Sequence, residues 1–252
     1  MIHPATELRL VNAHIGHGVF ATRHIPRGTI TYVRDELEIE LTPRQFERLD
    51  ESHRRIVERY SYIDPRGRRV VSWDHAKYVN HRCECNTMST GYGFEIALRD
   101  IEPGEEITDE YGLFNLTEPM PVNCGCRQCR KVVRPGDITR LAAAWDRRVI
   151  AALTALSGVE QPLWQLVDRR TRRAVEGYLA GRLPYRSVAT LAWTPAAAAG
   201  EPVLDGEGKP AFLRQPEREA CADRAQSRAG PSTNPTVSKP WSVRVASISL
   251  QS

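Results

Sequence analysis

Three stretches of this 252-residue chain concentrate side chains that can do chemistry. The first, Lys77-Tyr78-Val79-Asn80-His81-Arg82-Cys83-Glu84-Cys85-Asn86, sets amides, an imidazole and two thiols behind a short apolar-aromatic run. The second, Glu105-Glu106-Ile107-Thr108-Asp109-Glu110-Tyr111-Gly112, ends in carboxylates and a tyrosine. The third, Cys124-Gly125-Cys126-Arg127-Gln128-Cys129, is a metal ligand's composition. Amide and imidazole groups can give and accept hydrogen bonds at a polar ligand, and a tyrosine hydroxyl can orient an amine. Thiols clustered at this spacing can hold a metal.

Taken singly, these residues have ordinary readings. Asn80-His81 can be a loop with local hydrogen bonds. Tyr111 can be a buried aromatic with its hydroxyl satisfied. The cysteines say more. Five of the six cluster as Cys83/Cys85 and Cys124/Cys126/Cys129, with Cys221 alone in the tail. Zinc takes four ligands at ~2.3 Å in a tetrahedron, and a Cys-x-x-Cys turn supplies two of them. Cys126 and Cys129 have that spacing, and Cys124 adds a third thiol. The fourth must come from elsewhere, and Cys83 and Cys85 both stand as candidates.

The elements that must position these groups are short. Leu8–Val11 reads as a strand, followed by the glycine turn Ile15-Gly16-His17-Gly18 and a small apolar strand to Ala21. Ile30–Val33, Glu36–Leu41, Arg69–Trp73 and Phe94–Leu98 read as further strands, the second and last by alternation. Between them a helix starts at Thr42-Pro43 with Gln45 completing a capping box, and Phe46, Leu49, Ile56, Val57 and Tyr60 give it one apolar face. Past the cysteines the period changes. Leu141, Trp145, Val149, Leu153 and Leu156 predict a helix capped by Asp137 and stopped at Gly158. A second is expected from Pro162 to Leu179 and a short third from Tyr185 to Trp193. This helical part reads as a docking or dimerisation appendage, and the basic run Asp168-Arg169-Arg170-Thr171-Arg172-Arg173 as a solvated helix face, with nucleic acid or an acidic partner as its alternative use. Residues 196–252, rich in Ala, Pro, Gly and Ser, are expected to be disordered.

As an ordered set, the three stretches and the glycine turn resemble the SET-domain protein lysine methyltransferases with a post-SET cysteine segment. The resemblance runs from about residue 7 to 131. It implies a mainly β fold of short antiparallel sheets with a pseudoknot, in which the Tyr111 segment threads the loop holding Asn80 and His81. The expected organisation is a SET domain at 6–112, a post-SET zinc segment at 120–135, a helical extension at 137–195 and the tail. S-adenosylmethionine would lie against Gly16, His17, Gly18, Tyr78, Asn80, His81 and Tyr111. Tyr111 would be catalytic, and Cys83 would join Cys124, Cys126 and Cys129 on zinc. The expected activity is methyl transfer to a lysine of a protein substrate. The alternative is an inactive SET fold serving as a protein- or nucleic-acid-binding module. Departures from the family pattern are Arg82 after the histidine, Cys85 in place of proline, the two-residue gap between Cys126 and Cys129, and Asp109. Asp109 stands where an aromatic often sets the number of methyl groups added.

Composition bounds the rest. With 41% hydrophobic and 26% charged residues the chain is globular in type. No apolar run approaches the ~18–20 residues of a membrane span, and the N-terminus lacks the regions of a secretory signal. A cytoplasmic location without membrane partners is therefore expected, where thiols stay reduced. The net charge of +4 leaves nucleic acid open as a partner.

Overall fold

The computed structural model describes residues 1–193. The tail expected to be disordered lies outside the described residues. Twelve short strands within the described residues form small sheets, and each matters here for what it holds in place. Strands β1 (Thr6–Asn12) and β2 (Gly16–Ala21) make a hairpin around Gly16, whose φ of 88° suits a glycine. β3 (Ile30–Val33), with all four residues buried, pairs with β9 (Phe94–Ala97), which pairs in turn with β8 (Thr87–Ser89). A third sheet orders β4 (Ile39–Leu41), β6 (Arg69–Val71) and β5 (Ser61–Ile63). The expected mainly β architecture of short sheets is thus present.

Where one helix was expected after Thr42, two form: α1 (Pro43–Glu47) and α2 (Glu51–Tyr60). The Thr42–Gln45 capping box closes the first as expected, but Asp50 caps a second start by accepting from the His53 amide. A local N-cap at Asp50 outcompetes continuation of the helix. The expected apolar face is only partly used, because Leu49 is buried while Ile56 stays 58% exposed.

Helix α3 (Asp137–Leu153) follows its predicted period, with Trp145, Val149 and Leu153 all buried. Gly136, not Asp137, occupies the cap position. Asp137 becomes the first helical residue, where a carboxylate favours the helix dipole, and it accepts from the Arg134 amide. The helix ends at Leu153, and Leu156–Gly158 is a 3₁₀ turn. The expected helix from Pro162 shortens to α4 (Arg169–Leu179), because Asp168 caps it by accepting from the amides of Arg170 and Thr171. A 3₁₀ turn at Val188–Leu191 stands for the third.

These helices are not an appendage. Trp145, Val149, Leu153, Leu163 and Val175 share one core with Ile30, Met88, Phe94 and Ile96 of the β3–β9–β8 sheet. Two β-turn contacts show how close the approach is. A Cβ at Gly91 would lie 2.5 Å from the Ser187 carbonyl oxygen and against that of Arg186. Backbone oxygens cannot swing aside as a side chain does. Gly91→Ala should therefore cost about 1–3 kcal/mol, read as a lowered midpoint in denaturant unfolding of the full chain. An unchanged midpoint would mean the helical region is docked only loosely.

Candidate functional site

Strand β10 (Glu106–Asp109) is the spine of the site. It pairs antiparallel with β2 on one side, through Glu106↔Phe20 and Ile107↔Val19. On the other it pairs in parallel with β7 (Asn80–His81), through Thr108↔Asn80 and Asp109↔His81. Adjacent parallel strands from distant sequence need a crossover, so the chain between 82 and 105 must loop around before β10 returns. The start of that loop grips the same strand. Asn86 Nδ2 donates to the Glu106 carbonyl at 2.8 Å, Asn86 Oδ1 accepts from the Thr108 amide at 2.8 Å, and the Thr87 hydroxyl donates to the Thr108 carbonyl at 2.9 Å.

This pairing brings the glycine turn and Asn80 together. Asn80 Nδ2 donates to the His17 carbonyl at 3.1 Å and to Glu106 Oε1 at 2.8 Å. Glycine at position 18 lets these side chains close in. A Cβ there would meet Glu106 Oε1, with Val11 Cγ2 at 2.8 Å and Asn80 Nδ2 at 3.0 Å. The His17 ring meets the Tyr78 ring edge-on at 6.0 Å, and Tyr60 meets Tyr78 at 5.3 Å.

Tyr111 follows β10 directly. Its amide donates to His81 Nδ1 at 3.2 Å, and the two rings are 5.4 Å apart. Its hydroxyl donates to the Val79 carbonyl at 2.7 Å. Burial, then the carboxyls of Asp109, Glu106 and Glu95, push that hydroxyl's pKa up, so it stays a neutral donor. Burial and the nearby Arg130 push His81 down to about 4, so the imidazole is neutral at physiological pH. All seven expected cofactor residues thus gather around β2, β7 and β10, linked by the contacts above.

Tyr111 also lines a cavity of about 560 Å³ with Val79, Tyr60, Tyr62, Lys77 and Phe114. Phe114 packs its ring 5.2 Å from that of Tyr111 and 5.5 Å from that of Tyr62. Tyr62, Phe114 and Glu95, which also lines this cavity, were not singled out in the sequence. Nothing local marks them, since β5 and the 3₁₀ turn Tyr111–Leu113 meet only in three dimensions.

Glu110, one residue before Tyr111, is 1% exposed and already engaged. It accepts from the Gly112 amide at 2.9 Å and pairs with Arg130. Burial nevertheless pushes its pKa up, with Arg130 opposing. Arg130 therefore ties the cysteine segment to the tyrosine segment, and its own amide donates to Cys83 Sγ at 3.4 Å.

The cysteine segment is the loop of a small hairpin, β11 (Met120–Pro121) with β12 (Val132–Val133). Cys124 Sγ lies 3.2 Å from Cys126 Sγ and within hydrogen-bond reach of the thiols of Cys83 and Cys129. Cys124 thus touches each of the other three expected ligands, all unoxidised, while the ligand atoms that lie mutually within 4.8 Å are those of His81, Cys83 and Cys124. His81 Nε2 borders the group, 3.4 Å from Cys83 Sγ. Cys85, the competing candidate, faces elsewhere. It is 2% exposed in the main core, with Arg148 donating to its carbonyl at 2.7 Å, and burial pushes its thiol pKa up. A structural zinc site takes four ligands, and with Cys126 and Cys129 outside that close set the thiols do not yet surround one point.

Residues 16–112 match the family model of the SET domain. Over 147 residues the chain is 29% identical to the histone-lysine N-methyltransferase ash1 of Drosophila melanogaster, a match spanning 52% of this chain and 6% of that protein. A solved structure of a candidate histone methyltransferase from Plasmodium falciparum overlaps 44% of this chain and 95% of its own, at 16% identity and a TM-score of 0.32. It is thus residues 16–112 of the 252-residue chain that are similar to the SET domain.

Proposed function

We propose that this chain transfers a methyl group from S-adenosylmethionine to a lysine side chain of a protein. One observation carries the reading. The Tyr111 hydroxyl, fixed on the Val79 carbonyl, lies where an aromatic cavity adjoins the cluster of Gly16, His17, Gly18, Asn80 and His81. A cofactor site and an amine channel would meet at that hydroxyl.

When bound, S-adenosylmethionine supplies an electrophilic methyl on a sulfonium. The residues Gly16, His17, Gly18, Tyr78, Asn80 and His81 would hold it, with the absent side chain at Gly18 leaving room for Glu106 and Asn80 to pack against the turn. A free lysine has a pKa near ~10.4, so presenting it neutral at pH 7 costs about 4–5 kcal/mol. The cavity walls of Tyr60, Tyr62 and Phe114 lower that cost by desolvating the ammonium. Tyr111 donates its proton to Val79 and keeps lone pairs that can accept from the amine, which fixes the nucleophile's direction. Cys83, Cys124, Cys126 and Cys129 would hold zinc, a structural ion that pins the 120–133 hairpin beside the Asn80–Cys83 loop.

The name of the Drosophila relative makes histones the first substrates to try. Full-length chain incubated with histones and methyl-labelled S-adenosylmethionine should label lysine, located by mass spectrometry. Cofactor binding without transfer to histones or to lysate proteins would overturn the reading, and no cofactor binding at all would favour the inactive binding module. Gly18→Ala offers a finer check. Its Cβ must displace Glu106 or Asn80, so cofactor affinity measured by calorimetry should fall about tenfold or more, an overpacking cost of about 1–3 kcal/mol.

A further inference from the structure

The protein's net charge sits on one segment that the site above does not use. The whole chain carries 35 Lys and Arg against 31 Asp and Glu, a net charge of +4. Residues 168–186 hold six of the first kind, Arg169, Arg170, Arg172, Arg173, Arg182 and Arg186, and two of the second, Asp168 and Glu176. Taking six from 35 and two from 31 leaves 29 of each, so the rest of the chain is balanced.

Arginines elsewhere have carboxylate partners. Arg55 pairs with Glu51 at 3.0 Å, Arg130 with Glu110, and Arg140 with Asp137 at 2.7 Å. None of the six arginines of this segment has an ion pair among the described residues. The nearby acids are engaged elsewhere. Asp168 accepts from the amides of Arg170 and Thr171 as the cap of α4. Asp146 of α3 accepts from the hydroxyls of Tyr185 and Ser187 and from the Val188 amide. Glu176 stands three and four residues on from Arg173 and Arg172, yet ion-pairs with neither.

The six arginines share one frame. α4 is 11 residues, about 16 Å long. The chain after it folds back at once, with the Arg182 and Leu183 amides donating to the Gly177 carbonyl at 2.8 and 3.1 Å. The Tyr178 and Tyr185 rings then pack 5.4 Å apart, and the Arg186 guanidinium lies 5.5 Å from the centre of the Tyr92 ring. Arg182 and Arg186 are therefore fixed beside the helix. Between residues 168 and 178 every exposed side chain is charged, and Arg172 is half-buried.

We propose that α4 and the loop to Arg186 form a surface for the phosphate backbone of a nucleic-acid duplex. The surface stands independently of the methyl-transfer reading. Unpaired guanidiniums offer forked donors that match phosphate oxygens. A duplex carries one negative charge per ~1.7 Å of its axis, so several arginines on one short helix can each meet a phosphate. Other anionic partners fit less well. A protein interface is built on an apolar or aromatic centre, and the exposed apolar side chains here, Leu179 and Leu183, lie only at the C-terminal end of α4. A membrane would need the helix's apolar face, but Val175 and Tyr178 are packed in the core. Single strands are held by exposed aromatic rings, and no aromatic residue from 168 to 186 is exposed.

The test is fluorescence anisotropy of a labelled DNA duplex of arbitrary sequence with full-length protein, between about 50 and 200 mM salt. Five exposed arginines on phosphates predict a slope of log affinity against log salt of roughly −4 to −5, a loss on the order of 10²–10³-fold over that range. Arg169→Gln combined with Arg173→Gln should flatten the slope by about 2 and weaken binding to any sequence alike. Arg182→Gln should flatten it by about 1, because the loop belongs to the same surface. Arg55→Gln, on α2, should change neither slope nor affinity. Duplex RNA run in parallel is the second source of the same phosphate chemistry, and tighter binding of either duplex names the polymer. No binding to either duplex at the low-salt end would overturn the proposal, as would equal slopes for the Arg169/Arg173 and Arg55 variants. Poly-L-glutamate bound as tightly as the duplexes would also overturn it and give the surface to an acidic protein.

Discussion

Tyr111→Phe should lower methyl transfer on the order of 10²–10³-fold while leaving the protein folded and still able to bind cofactor. The size follows from removing one positioned hydrogen-bonding group at a reacting centre. Only the hydroxyl is lost, and the ring keeps its contacts with His81 at 5.4 Å and Phe114 at 5.2 Å. The Val79 carbonyl loses its 2.7 Å donor, a cost of about 1–3 kcal/mol in stability at most if no water replaces it. Asn80→Ala should fail differently. It removes the donor that fastens the His17 carbonyl and Glu106 Oε1, so cofactor affinity falls before the chemical step does. Labelled transfer at saturating cofactor separates the two variants, with calorimetry in parallel. If Tyr111→Phe worked as fast as wild type, the tyrosine would be a core aromatic and the methyl-transfer reading would lose its nucleophile-orienting group.

Much of this site could be read from sequence because its parts keep a fixed order. Gly16–Gly18, Asn80-His81 and Tyr111 are far apart in the chain, yet each sits in a recognisable local frame. The parallel pairing Asp109↔His81 then places them side by side. Residues whose meaning depends on distant partners stayed silent. Glu95 sits in an alternating strand and reads there as a half-exposed side chain, whereas the structure sets it on the walls of two cavities. Arg130 follows the cysteines like any basic residue, but it reaches Glu110 and lies 5.8 Å over the Trp145 ring. The period of α3 was legible, and what it covers was not. A helical stripe says that something must pack against it, without saying whether that is a partner or the chain's own β3–β9–β8 sheet. The break at Asp50 had its signal in plain view, an acidic cap three residues before His53, masked by the apolar period running through it.

The largest effect on the fold should come from the cysteines. Cys124→Ser should abolish binding of the one zinc expected per chain, since Cys124 Sγ is the atom around which Cys83, Cys126 and Cys129 gather. Structural zinc contributes roughly 10–16 kcal/mol of apparent binding energy in small zinc-finger peptides. Here the ion would act on a hairpin whose two strands have only two residues each, Met120–Pro121 and Val132–Val133. Such a hairpin has little stability of its own. Without metal, the Arg130 amide's contact to Cys83 and the Arg130–Glu110 pair beside Tyr111 should loosen together. Activity should then fall with metal content, while the α3 core, built on Trp145, Val149 and Leu153, keeps the rest folded. Cys85→Ser makes the control. Its thiol is buried against Arg148 in that core, so the variant should keep its zinc and lose about 1–3 kcal/mol of stability from burying a hydroxyl in place of a thiol. Metal analysis of protein purified without added zinc reads both outcomes. Zinc retained by Cys124→Ser, or lost from Cys85→Ser, would reassign the ligands.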